Sequence, residues 1–456
     1  MDCLYTKGFA TLPAEHYALF HGRLSNYMSK ITNTRICQII VSSKLRAISG
    51  IVSASAIQIV LLALLSLLLA RVLSVEDFGI TRVVTAYMVF LAMFGHMCMH
   101  DAVSTFVARV ETVEEKAAYV IAGSKLVLIS SVMTVLIFEV LLLNGPWWTG
   151  RLRGVLAVVV LFLPLVALTL VYTSVLQSIG SYKKLSVAVL LGGVIPLICM
   201  LPPSAGWGLT GWILGRGVAY VLLLACGVML IRELFGSRGP SETYSKLIGF
   251  SRVQLVSGIL SMGMQSADVL ILERLGASLS DIAIYGLAAL FARSVLFVPG
   301  AMGRVYFQEI AEGSSRGDYT KPACQLLGNV VGICVILAVL MATCVPAIIR
   351  LFYGEEYSSS IPILEVMCAG IVFSGLWSAL STINIAINRP SFAVAISFSG
   401  VCTSVVLLAL VIPLYGPIGA AWAMNAAYIV GSCVGLWLIY GEHQRRMRPN
   451  PLVKVG

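Results

Sequence analysis

Four ionisable side chains stand deep inside otherwise apolar sequence: Lys125, Arg216, Asp268 and Arg293. The stretch GMQSADVLILERLG, Gly263 to Gly276, shows the difficulty. It suits lipid except for Asp268, with Glu273 and Arg274 closing it. A carboxylate at the bilayer centre costs roughly 2.5–3.5 kcal/mol on insertion scales. A partner must offset that cost. A turn near Ser278 lies about ten residues after Asp268 and about fifteen before Arg293, so antiparallel helices set the two at depths about 7 Å apart. Long side chains bridge that gap. Asp268 therefore reads either as half of a static pair with Arg293 or as the ligand of a coupling cation. Arg216 and Arg293 lie about ten residues, some 15 Å, from their nearest span ends, too deep to reach water easily. Lys125 lies about eight residues in, some 12 Å. These three are the candidate cations of a polar cavity. Arginine suits a phosphate-type anion because its planar fork bonds two oxygens and stays charged. Gln58, Asn384, Asn388 and Asn425 offer amides to a hydroxyl-rich ligand, or else link helices to one another. Arg252, Arg304, Glu139 and Glu365 fall near span ends and read as snorkelling charges.

The elements that must position these groups are membrane spans. The chain is 59% hydrophobic and 11% charged, whereas soluble domains carry about 25% charged residues. Apolar runs of crossing length, about 20 residues each, recur about twelve times between residues 47 and 440. The expected organisation is a cytoplasmic arm (1–46), a six-helix lobe (47–232), a linker (233–247), a second six-helix lobe (248–440) and a basic tail (441–456). No stretch is left for a sizeable catalytic or nucleic-acid-binding domain. The net charge of +10 is read as topology. About 20 of the 31 Lys and Arg fall at the termini and on the even-numbered loops, which places both ends in the cytoplasm. The odd-numbered loops hold about six (Arg71, Arg82, Arg151, Arg153, Arg274 and Arg350). The first 46 residues lack the apolar core and cleavage site of a secretory signal, and Met28 is an alternative start.

Other chemistry is sparse. The 11 cysteines show no CxxC and no metal spacing, so they count as small apolar residues. His96 and His100, four apart, read as a polar helix end near the cytoplasm rather than as a metal pair. No Gly-rich phosphate loop precedes a Lys-Ser or Lys-Thr, so ATP hydrolysis by this chain is not expected. No cofactor is called for. Trp147, Trp148, Trp207, Trp377 and Trp437 fall near span ends, as an aromatic belt does. Trp147 and Trp148 are also candidates for stacking on a sugar.

The chain repeats itself weakly. GLTGWILGRGVAY, from Gly208, aligns without gaps on GPIGAAWAMNAAY, from Gly416. Gly208, Gly211, Ala219 and Tyr220 fall on Gly416, Gly419, Ala427 and Tyr428, and Gly192 falls on Gly400. Arg216 falls on Met424, so the shared scaffold does not need that charge. EDFGI, from Glu76, precedes AIYGL, from Ala283, by about one repeat. An even number of spans per repeat gives a pseudo-twofold axis along the membrane normal. Two such bundles meet around a central cavity.

Three stretches resemble the polysaccharide-repeat flippases, the O-antigen and capsule branch of the MATE-like superfamily. They are LLARVLSVEDFGITRVVTAYMVFLA, then QSADVLILERLGASLSDIAIYGLAALFARSVLFVPGAMGRVYFQEIAEGSSRGDY, then IIRLFYGEEYSSSIPILEVMCAGIVFSGLWSALSTINIAINRP. The third, FYGEEY followed by a span ending in Asn-Arg-Pro, is the most specific. With the span pattern the likeness covers roughly residues 45 to 440. It implies an all-α, MATE-like integral membrane protein that is not an enzyme. It also implies the substrate, an undecaprenyl-pyrophosphate-linked oligosaccharide turned from the cytoplasmic to the periplasmic leaflet of the inner membrane. Arg216, Arg293 and Lys125 would then face the pyrophosphate, a proton or sodium gradient would drive the step, and other polysaccharide assembly proteins are candidate partners. Two alternatives stand beside it. A drug or metabolite exporter of the same superfamily favours an acidic, aromatic cavity. A membrane polysaccharide polymerase needs a long outer loop bearing Arg, His and acidic residues. Lipid II flippases of the superfamily carry two spans more than this chain.

Overall fold

The computed structural model describes residues 43–145, 148, 150–234, 242–316, 319–387 and 389–447. It divides into two units, Met1–Ser53 and Ala54–Gly456. Among the described residues of the first, the chain is the helical start of α1. All further description concerns the second, which among its described residues is built from helices without strands. In chain order these are α1 (Ser43–Val72), α2 (Val75–His96), α3 (Met99–Arg109), α4 (Val113–Asn144), α5 (Gly150–Val160), α6 (Leu163–Ser178) and α7 (Tyr182–Leu230). There follow α8 (Glu242–Arg274), α9 (Leu279–Ser294), α10 (Phe297–Arg316), α11 (Thr320–Tyr353), α12 (Ser360–Ala386) and α13 (Pro390–Met447).

Nine of these helices, or ten if α5 and α6 form one span bent by 44°, are long and apolar enough to cross a membrane. Two of them are not single crossings. α7 has 49 residues and α13 has 58, and about 20 residues suffice for the hydrocarbon core. Each breaks at one glycine. Gly208 has φ 56°, ψ −133° and Gly416 has φ 58°, ψ −140°, a region that a Cβ makes costly. A Cβ on Gly211 would collide with the carbonyl of Pro203, and one on Gly215 with that of Cys199. The two arms of α7 therefore run antiparallel in close contact. Gly419 stands over Val411 in the same way. The expected count of twelve crossings rests on counting these arms separately. The repeated Gly208/Gly416 and Gly211/Gly419 positions are the two tight hairpins.

The helices α2 and α9 begin alike. Ser74 accepts the N–H of Asp77 at 3.2 Å, and Ser278 accepts that of Asp281 at 3.1 Å. Such N-caps, with acidic residues in the first turn, fix where a helix starts. The two helices pack against each other from these caps onward. Gly79 permits the approach, since a Cβ there would strike the Leu279 carbonyl. Further along, the stem of Arg82 lies on Gly286, where a Cβ would come within 2.8 Å of the Arg82 Cγ.

A second contact joins α2 to α8. Trp148 donates to the Tyr87 hydroxyl, which donates to Glu273, both at 3.0 Å. Arg274 sits 3.7 Å from Glu273 and over the Trp148 ring. Glu273 and Arg274 of the opening stretch thus belong to a fastening between helices. Trp148 is 4% exposed and offers no face to a sugar. Trp147 lies outside the described residues, as do part of the 233–247 linker, the tail from 448 and the alternative start Met28.

The hairpin glycines yield a stability test. Gly208→Ala and Gly416→Ala should each lower the thermal midpoint in detergent, because a side chain in that backbone region costs about 1–3 kcal/mol. Gly154→Ala, where a Cβ meets nothing within 4 Å, should leave it level or slightly raised. Equal midpoints for all three would show that the turns do not constrain the fold.

Candidate functional site

Two cavities meet at the crossing of α2 with its neighbours. The first, about 380 Å³, lies between α1, α2, α8 and α9, with Ser66, Arg82, Thr85, Gln265, Ser266 and Arg293 on its wall. The second, about 270 Å³, lies between α1, α2 and α7, with Trp212, Arg216 and Tyr220 on its wall. Leu62, Ser66, Arg82 and Thr85 line both. A small void of about 30 Å³ lies on the far side of Arg293, beside Tyr285, Asn425 and Tyr428. The three spaces share walls that present three guanidinium groups in succession, Arg216, Arg82 and Arg293. Among the described residues no Asp or Glu lines any of them.

Each arginine is held differently. Arg293 of α9 pairs with Asp268 of α8 and donates to the Gln265 carbonyl at 2.9 Å. Asp268 is 0% exposed and most of its acceptor capacity is taken up. Besides Arg293 it accepts the Tyr285 hydroxyl at 2.6 Å and the N–H of Val269 at 2.9 Å. The structure thus brings Asp268 and Arg293 together, and those contacts leave Asp268 little capacity to hold a coupling cation.

Arg216, on the second arm of α7, is 8% exposed. Its Nε donates to the Tyr220 hydroxyl at 3.0 Å and its Nη1 to Thr85 Oγ1 at 2.9 Å, with the guanidinium 4.8 Å from the Trp212 ring centre. Both hydrogen-bond partners are neutral. Arg82 is half-buried on α2, its guanidinium 4.4 Å from the Phe78 ring centre. Its Nε is buried without a hydrogen-bond partner. Among the described residues neither Arg82 nor Arg216 is salt-bridged. Aromatic faces hold a guanidinium by cation–π attraction, about 2 kcal/mol when dry, which leaves its N–H fork open to an anion.

Arg82 corrects the expectation that it belongs to an outer loop. The continuous apolar run begins only after Arg82, but the Ser74 cap starts the helix at Val75. Arg82 therefore lies about 12 Å along it. The Ser-x-x-Asp spacing of Ser74 and Asp77 was the signal that would have found it.

The other candidates divide. Lys125 is exposed and shares a face of α4 with exposed Leu128, Val132 and Leu136, away from the arginine cavities. Asn425 donates to the Val366 carbonyl at 2.6 Å, linking α13 to α12, and also lines the void beside Arg293. Gln58 packs over Gly192 of α7. Asn384 is 0% exposed, with both amide atoms unpartnered and buried. Asn388 lies outside the described residues. A roomier cavity, about 790 Å³, opens between α2, α4 and α8. Phe90, Phe94, Met133 and Phe138 line it, with Arg252 and Arg274 also on its wall, so it is an apolar space separate from Arg82, Arg216 and Arg293.

The chain matches the family model described as polysaccharide biosynthesis protein over residues 68–362, well over half its length. It is 26% identical over 245 residues to an uncharacterized membrane protein of Methanocaldococcus jannaschii, covering 50% of this chain and 47% of that protein. It is 20% identical over 282 residues to a Shigella flexneri protein named as an O-antigen transporter, covering 60% and 67%. The chain thus spans about half to two thirds of the length of these relatives. Among solved structures, an inward-facing multidrug resistance MATE family transporter of the MOP superfamily superposes with TM-score 0.70 at 13% identity, covering 86% of this chain and 96% of that one. The lipid II flippase MurJ in an inward closed conformation gives 0.68 at 16%, covering 86% and 88%. These likenesses establish the MATE-like fold.

Removing the carboxylate measures what the pair does. Asp268→Ala should destabilise the detergent-solubilised protein by about 3 kcal/mol, the low end for an orphaned buried charge, because the Arg293 side chain is 37% exposed to its cavity. Asp268→Ala with Arg293→Leu should recover most of the loss in thermal unfolding. A double variant as unstable as the single one would show that the two side chains act independently.

Proposed function

The chain belongs to the polysaccharide biosynthesis protein family, and from that premise we propose that it flips a lipid-linked oligosaccharide across the inner membrane. The headgroup would occupy the arginine cavities. The carrier is read as undecaprenyl pyrophosphate, with both chain ends cytoplasmic and residues 47–232 and 248–440 moving as two lobes. The observation that carries the reading is the excess of cations. Three arginines face adjoining cavities that share walls, and one carboxylate offsets them.

Two uncompensated guanidinium groups at mid-depth cost roughly 5–7 kcal/mol on insertion scales. A pyrophosphate supplies the missing negative charge. The Arg82 and Arg216 forks each offer paired N–H groups to its oxygens, while Ser66, Thr85, Gln265 and Ser266 offer weaker bonds to oxygens and sugar hydroxyls. The lipid tail needs no protein cover and stays in hydrocarbon. Rocking of the lobes about the α2–α9 crossing then exposes the same cavity to either side, as alternating access requires. Transport is expected to draw on an ion gradient. The exporter alternative is weakened by the same charge count, since a cationic drug would meet guanidinium groups and no free carboxylate.

The test is made in cells lacking the gene, with lipid-linked oligosaccharide assayed by a membrane-impermeant glycan label. Precursor should collect on the cytoplasmic side and reach the outer leaflet when the gene is returned. Arg82→Gln and Arg216→Gln should each cut outer-leaflet display about 10- to 100-fold, the value of one charge-assisted contact, with protein still in the membrane. Arg293→Gln is a poorer probe because it strands Asp268. Normal display in both Gln variants would overturn the cavity assignment. Normal display without the gene would overturn the flippase reading.

A further inference from the structure

Four residues apart, His96 and His100 would share a face of one continuous helix, but the helix breaks between them. Met97 (φ 47°) and Cys98 (φ 53°) are both left-handed, which for residues with a Cβ costs about 1–2 kcal/mol each. That break ends α2 and starts α3. The imidazole rings meet across it edge to face, centres 4.6 Å apart.

The hydrogen bonds at the break depend on the histidines. His96, 5% exposed, accepts the N–H of Cys98 on Nδ1 at 3.1 Å. That requires an unprotonated Nδ1. His100 turns Nε2 toward Asp101, 3.5 Å away, while its Nδ1 is buried with no hydrogen-bond partner. A lone pair on that nitrogen is thus open. The His100 and Asp101 side chains are 26% and 49% exposed, so the pair has an outlet to water.

Three helices seat the break. Ser130 of α4 donates to the Gly95 carbonyl, and Ser174 of α6 to the His100 carbonyl at 3.0 Å. On α8 the Gln254 carbonyl accepts the Cys98 thiol at 3.5 Å, Ser251 lies 3.5 Å from Met99 Sδ, and Gly258 leaves room for Met93 and Cys98. α2 and α3 belong to the amino-terminal half and α8 to the carboxyl-terminal half. The charged or titratable groups near the pair are few. Asp101 and the Cys98 thiol share its segment. Arg252 of α8 lines the apolar cavity with Met97 and Met99. Lys125 is exposed on α4, and α4 and α6 otherwise present the two serine hydroxyls.

We propose that His96 and His100 form a proton-binding site, and that its occupancy sets the α2–α3 break and the seating of α3 on α8. A proton from water adds to the open Nδ1 of His100, and Asp101 beside Nε2 balances the charge. The new N–H then points into buried space that offers no acceptor. The segment must open to hydrate it, the ring contact with His96 that sets the Cys98 amide is disturbed, and the contact of α3 with α8 loosens. One O–H bond breaks in the water-borne acid and one N–H bond forms. In the flippase reading, on which this use rests, the site supplies the coupling ion. Asp268, occupied by Arg293 and Tyr285, does not.

The experiment needs no substrate. The full chain, labelled with ¹⁵N-histidine, is placed in lipid bilayers and titrated from pH 8 to pH 5 by solid-state NMR. Hydrogen exchange of residues 93–109 is followed in parallel and corrected for intrinsic pH dependence. At pH 8 both imidazoles should be neutral. By pH 5 His100 should hold one added proton with His96 still neutral, and exchange at the break should rise about tenfold. His100→Gln should abolish both changes while matching the parent at pH 8, and this variant decides the matter if His96→Gln fails to fold. An unprotonated pair at pH 5, a proton taken up without faster exchange, or a His100→Gln protein that loosens like the parent would each overturn the site. A silent pair in a protein that flips glycan normally removes the proton site alone. A responsive pair in a protein that flips no glycan removes the flippase reading alone.

Discussion

Charge inside hydrocarbon is the constraint on which the rest of this structure depends. A guanidinium at mid-depth costs a few kcal/mol and has no water to relieve it. The protein meets that cost in three ways. Arg293 has a carboxylate whose remaining oxygen capacity is taken by Tyr285 and a backbone N–H. Arg216 has neutral hydroxyls and two aromatic rings. Arg82 has one aromatic ring and an idle Nε. The series runs from fully compensated to barely compensated, and the least compensated group stands where two cavities meet. That gradient underlies the proposed division between structure and recognition: the Asp268–Arg293 pair joins two helices, while Arg82 keeps a donor without a partner.

Duplication explains why such an arrangement is affordable to the fold. The Ser74 and Ser278 caps, the Gly208 and Gly416 turns and the Gly211 and Gly419 contacts recur in both halves. They carry the backbone. The charges do not recur. Arg216 answers to Met424, and Arg82 lies against a bare Gly286. A symmetric scaffold therefore carries an asymmetric lining. Near a seam between halves there is room for one long side chain, and the glycine opposite supplies it.

What the sequence disclosed follows from which physical rules are local. The Asp268–Arg293 pairing could be reached from helical rise alone, since the turn near Ser278 was recognisable and rise per residue is nearly constant. The hairpins were visible as repeated glycines, though their backbone angles were not. Arg82 was missed because apolar content, used to place the span edge, begins several residues after the cap that starts the helix. The directions in which Lys125, Gln58 and Asn384 point were hidden for another reason. Depth along a helix was legible, but its rotation was not, because packing of the long apolar runs leaves the polar face undefined by periodicity. The histidines were missed because no sequence rule places two consecutive left-handed residues at Met97 and Cys98.

That last feature bears on how the chain could move. Strain persists in a fold when neighbours over-determine it, and here hydrogen bonds with α4, α6 and α8 hold three residues, Gly95, Cys98 and His100. A helix bent by proline has one shape at every pH. A break packed against a buried, unpartnered imidazole nitrogen keeps its shape only while that nitrogen carries no proton. In the proposed reading the arginine end of α2 meets substrate and the histidine end faces Asp101 and water, about 21 Å apart at helical rise. One helix would then connect the proposed anion site to the proposed proton site, the mechanical link that an ion-driven flippase requires.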